Sequence, residues 1–149
     1  MIKRVIYPPV WLLLGLIVIF VANEWYPMFR FTGTASQVIG GALILPGLLL
    51  LVSANGLFVR AGTEVIPFRP TSKLVVHGVY RFTRNPMYLG MTLVLLGCAI
   101  TVGALSALPV PLVFAAIMEF RFIRPEEQLL RQQFPEEYPA YCARVRRWL

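Results

Sequence analysis

Residues 85–118 read NPMYLGMTLVLLGCAITVGALSALPVPLVFAAIM, 34 residues without one charged side chain. As a single straight helix this stretch would run about 50 Å at 1.5 Å per residue, well past the roughly 30 Å of hydrocarbon in a bilayer. It must fold back on itself. The turn is expected at 101–106 around Gly103, with Pro109 and Pro111 in the first turn of the returning helix, where a missing amide does no harm. This predicts a tight hairpin of two spans, 86–102 and 106–123, the second continuing through Phe120, Phe122 and Ile123 despite Glu119 and Arg121.

Upstream lie two further apolar runs. Residues 5–23 follow Lys3 and Arg4, precede the interfacial pair Trp25-Tyr26 and lack a small-residue cleavage site, so they read as an uncleaved anchor helix. Residues 38–58 form the core of the second run. The expected fold class is therefore an all-α integral membrane protein, a single membrane domain over 1–149 with about four transmembrane helices. A cytoplasmic loop, 60–85, and a cytoplasmic amphipathic C-terminal tail, 124–149, complete it. Composition agrees: 58% of residues are hydrophobic, mean hydropathy is +0.70 and 14% are charged, against about 25% charged in soluble domains.

Of the 14 basic residues, all except Arg30 fall on one side of these spans, and the positive-inside rule makes that side cytoplasmic, both termini included. Every acid except Glu24 joins them. The sorting accounts for most of the basic pI, near 10.0, without nucleic acid, for which no groove-reading module exists. The expected location is the inner membrane of a bacterium or archaeon.

The chain has no Asp and one His, His77, which removes enzymes that hold metals on spaced aspartates or paired histidines. No metal site is expected. None of the four serines, 36, 53, 72 and 106, sits in a G-x-S-x-G setting. Cys98 and Cys142 lie in segments too different to suggest a disulfide framework.

Chemistry is then expected in the loop and tail. In the loop, Asn85-Pro86 is a helix start, with the Asn side chain expected to cap free amides and Arg84 just before it, an arrangement that favours an anion. Gly78 and Gly90 permit close backbone approach, and Tyr80 and Tyr88 offer rings with hydroxyls. The same residues also read as a juxtamembrane loop: arginines on lipid phosphates, tyrosines in the interfacial belt, and Gly90 with Gly97 letting helices approach. An interfacial His77 needs no ligand.

In the tail, Glu119 should face protein or a wet cleft rather than lipid. Glu126 and Glu127 follow Pro125 in the first turn of a new helix, where Glu127 can pair with Arg131 four residues on. Tyr138, Tyr141, Val145 and Trp148 form a stripe at helical spacing, fit either for the anionic leaflet or for capping a cofactor cleft.

Three motifs in order, H-G-x-Y-x-x-x-R-N-P-M-Y-x-G at 77–90, E-E-x-x-L at 126–130 and F-x-x-x-Y-x-x-Y at 134–141, resemble the isoprenylcysteine carboxyl methyltransferase and phospholipid methyltransferase family of membrane enzymes. The resemblance covers roughly the second half of the chain and implies an S-adenosyl-L-methionine cofactor bound between loop and tail. It implies Glu126 and Glu127 on the cofactor's ammonium or ribose, and His77, Gly78, Tyr80, Asn85, Pro86, Tyr88 and Gly90 around the adenosyl pocket. Arg84 becomes the candidate catalytic residue, orienting an anionic acceptor or holding the cofactor's carboxylate. The family's carboxyl methyltransferases commonly carry His where this chain has Asn85.

The implied activity is methyl transfer to a lipophilic acceptor, first carboxyl O-methylation of an isoprenylcysteine-like molecule, with phospholipid N-methylation or thiol S-methylation as alternatives. Two other classes remain: a non-catalytic membrane subunit whose basic residues bind anionic lipid or a partner protein, and a reductase on a related membrane fold that would take NADPH.

Overall fold

The computed structural model describes residues 7–62 and 73–149. Lys3, Arg4 and Arg69, the start of the first expected span and part of the 60–85 loop lie outside the described residues. Among the described residues the chain is helical, with one isolated antiparallel bridge, Arg30 to Ala104.

Helices α1, Pro8–Trp25, and α2, Thr34–Ala61, are apolar on every side, and Leu13, Val18, Phe20, Leu45 and Val52 stand exposed. A helix with no polar face has lipid as its solvent. Helix α3, Pro86–Val102, ends at Gly103 in the left-handed conformation (φ +70°), and a short 3-10 turn, Leu105–Ala107, leads into α4, Pro109–Met118. At this turn Phe31 N donates to Gly103 O at 2.9 Å and Leu105 N donates to Phe29 O at 2.9 Å, so the α1–α2 connection clasps the hairpin.

Helix α4 passes without a break through a π turn, Glu119–Ile123, into α5, Arg124–Gln133, and α6, Glu137–Arg144, follows. Pro125 was expected to open a new helix. Instead Arg124 N–H donates to Glu119 O five residues back, so the hydrogen-bond ladder widens where the proline has no donor to give. Among the described residues three helical stretches are long and apolar enough to cross a membrane, Pro8–Trp25, Thr34–Ala61 and the continuous Leu105–Gln133, while Pro86–Val102 is apolar but shorter at 17 residues.

Small residues bring α2 and α3 together antiparallel. A Cβ built on Gly97 would stand 2.6 Å from Gly40 O, and one on Gly90 2.7 Å from Gly47 O, so only glycine permits this backbone contact. The core lies where α1, α3 and α4 meet, around Ile19, Leu95, Ala99, Phe114 and Met118. This packing gathers the C-terminal end of α2, the N-terminal end of α3, the α4–α5 junction and α6 at one end of the molecule.

Candidate functional site

A 3-10 turn, Gly78–Arg81, begins at Gly78 with φ +62° and delivers the chain to α3 through Phe82–Asn85. The segment 83–85 receives the last residues of the tail, which follow α6. Arg84 N donates to Arg146 O at 3.0 Å, and Thr83 Oγ1 and Asn85 Nδ2 donate to Arg147 O at 3.1 and 3.0 Å. The Asn85 side chain was expected to cap α3. It makes no capping bond, because it is already committed to the tail carbonyl. Tyr141 Oη donates to Tyr80 O at 2.6 Å and seats α6 against the same loop. Burial pushes the Tyr141 hydroxyl up to about 12, so it keeps its proton and remains a donor.

The arriving tail places Arg147 between two carboxylates. Its Nε and Nη2 donate to the two Glu127 oxygens at 3.0 and 2.7 Å, a bidentate fork, and Nη1 reaches Glu119 Oε1 at 2.7 Å. Glu119 is further held by Arg124 Nε at 3.0 Å and Trp148 Nε1 at 3.1 Å. Arg84 Nη2 lies 3.1 Å from Glu127 Oε1. Glu127 therefore pairs with Arg84 and Arg147 rather than Arg131, because the folded tail supplies an enclosed, two-pronged partner that an exposed helix neighbour does not match.

Beside this cluster Tyr88 Oη donates to Glu126 Oε1 at 2.8 Å, with the Tyr88 ring packed near Phe122. Arg84 Nε is buried without a hydrogen-bond partner. Arg84 thus carries one unsatisfied buried donor while its Nη2 is paired with Glu127.

Of the residues singled out in the sequence, Arg84, Asn85, Tyr88, Glu126 and Glu127 gather here, with the Tyr80 carbonyl and Pro86, the buried first residue of α3, bordering them. His77 is exposed at the start of the 3-10 turn. Gly78 faces Leu57 of α2, and Gly90 faces Gly47, so its open side is filled by a helix. The Tyr80 ring meets Phe58 of α2 edge-on. Sequence reasoning passed over Thr83 and assigned no contact to Arg147. The signal for Glu119 was present, an acid at a membrane helix end that needed a partner. The aromatic stripe is broken: Tyr138 and Tyr141 are buried on α6, but the helix ends at Arg144, and Val145 turns extended to send Trp148 to Glu119.

Three comparisons bear on this architecture. A family model described as phospholipid methyltransferase matches residues 35–137. A Delta(14)-sterol reductase of Mus musculus is 34% identical over 87 residues, 57% of this chain and 21% of the reductase. The eukaryotic intramembrane Ras methyltransferase ICMT (isoprenylcysteine carboxyl methyltransferase) shares the fold, with a TM-score of 0.72 at 21% identity over 100% of this chain and 54% of that one. The chain thus spans about a fifth of the reductase and about half of the Ras methyltransferase.

Proposed function

Because this chain is an integral membrane protein that belongs to the phospholipid methyltransferase family, we propose that it is an S-adenosylmethionine-dependent methyltransferase acting on a lipophilic acceptor. The observation that carries the reading is the buried, unpartnered Arg84 Nε beside Glu127 and the Tyr88–Glu126 pair, a complement for the cofactor's amino-acid end. S-adenosylmethionine would supply an electrophilic methyl on sulfonium, transferable by one in-line displacement.

The residues then serve to bind and align rather than to relay protons. Glu126 takes an ammonium, and Arg84 takes a carboxylate while Glu127, itself clamped by Arg147, holds the Arg84 guanidinium in place. The docked tail covers the site and excludes water. Carboxyl O-methylation of an isoprenylcysteine-like acceptor comes first among the reactions, since a carboxylate is already nucleophilic at neutral pH; N-methylation of a phospholipid amine or S-methylation of a thiol follows. The acceptor enters sideways from the bilayer. The charged end is read as cytoplasmic, since Arg30 alone among the described basic residues lies at the opposite end.

The test is calorimetry of S-adenosylhomocysteine with detergent-purified protein. Binding is expected, weakened at least tenfold in a Glu126→Gln/Glu127→Gln variant that keeps its fold; absence of binding at millimolar ligand by folded protein refutes the reading. The sterol reductase match favours a second reading, a reductase taking NADPH. Competition between the two nucleotides decides: displacement of S-adenosylhomocysteine by micromolar NADPH would favour the reductase.

A further inference from the structure

On the far side of the 3-10 turn from Glu126 and Glu127, a cleft of about 680 Å³ opens between α2 and the loop. One wall is a single face of α2, Val52, Ser53, Gly56, Leu57 and Arg60; the other carries Val79, Arg81 and Phe82. From Val52 to Arg60 the helix rises about 12 Å, so the α2 wall runs from an apolar end to a cationic one, and Arg81 brings a second positive charge to the lining. Neither arginine has a carboxylate partner among the described residues, whereas Arg84, Arg124 and Arg147 all do. Val52 and Phe82 are 72% and 77% exposed, so the apolar end is open sideways, toward lipid. Gly56 keeps the floor clear: a Cβ there would meet nothing within 4 Å.

We propose that this cleft binds the phosphate head of an anionic membrane lipid on Arg60 and Arg81, with the lipid's first methylenes lying along Val52, Leu57 and Phe82. Charge complementarity selects an anion, and continuity of the apolar wall with the bilayer-facing surface of α2 selects a lipid over a free phosphate. Its volume falls in the range of small-molecule sites, about 300–1,000 Å³. The site stands on different residues from the proposed cofactor site and does not depend on methyl transfer.

The experiment is native mass spectrometry of detergent-purified protein offered equal amounts of dioleoylphosphatidylglycerol and dioleoylphosphatidylcholine. The wild type should retain one phosphatidylglycerol in preference, and Arg60→Gln/Arg81→Gln should reduce that preference at least about tenfold. Gly56→Leu, which fills the cleft and leaves both charges, should lose the lipid with an unchanged thermal transition. Millimolar glycerol 3-phosphate should not displace it. Equal retention of the two lipids, an unaltered preference in either variant, or displacement by glycerol 3-phosphate overturns the proposal.

Discussion

Arg147→Met keeps an apolar stem of similar length while removing every donor that the Arg147 side chain gives to the carboxylate cluster. Three charge-assisted hydrogen bonds are lost, two to Glu127 and one to Glu119. Each such bond is worth about 1.5–3 kcal/mol alone, but the sum overstates the loss. Glu127 retains Arg84, Glu119 retains Arg124 and Trp148, and the Arg147 side chain is 34% exposed, so water replaces part of what is removed. The backbone contacts of 146 and 147 with 83–85 do not depend on the side chain. A net loss of about 2 kcal/mol is expected, confined to the opening of the tail, which is roughly a thirtyfold change in the opening equilibrium. Hydrogen exchange read by mass spectrometry should show amides of Glu137–Arg144 losing protection about thirtyfold, with α3 unchanged. A double-mutant cycle with Glu127→Gln should return a coupling of about 1–2 kcal/mol. Protection within twofold of wild type, or coupling below about 0.3 kcal/mol, would refute the reasoning that Arg147 closes the tail over Glu127.

Glu126→Gln keeps the contact with Tyr88 Oη but removes the negative charge, and calorimetry should show S-adenosylhomocysteine bound at least about tenfold more weakly; unchanged affinity removes Glu126 as the ammonium partner. Gly97→Val pushes a side chain into Gly40 O, 2.6 Å from the first added carbon, and should lower stability by about 2–3 kcal/mol in detergent. Gly41→Val, whose Cβ meets nothing within 4 Å, is the matched control, and equal melting of the two would remove the close-contact argument.

Much of the helical layout was legible because its causes are one-dimensional. An uncharged run of 34 residues exceeds a bilayer whatever its neighbours are, and Gly103 with Pro109 marks where it turns. The motif residues Arg84, Tyr88, Glu126 and Glu127 were legible as a group, though not their pairings. The Asn85 cap, the Glu127–Arg131 pair and the continuous aromatic stripe were inferred from helix-local geometry. Each gave way to a contact made across the fold, by Arg147 O, by the Arg147 guanidinium and by Trp148 turning to Glu119.

From sequence alone came the membrane as solvent, the hairpin and the chemical character of loop and tail, because hydropathy, helix-start signals and charge content act through the chain's immediate surroundings. The tertiary structure decided which charges meet. Arg147 lies 20 residues from Glu127 and Asn85 lies 62 from Arg147; they come together only because the π turn carries the helix past Pro125 and the glycine contacts of α2 and α3 set where the loop waits for the tail. An enclosed carboxylate takes the donor that the fold brings to it, and spacing along one helix cannot specify that donor.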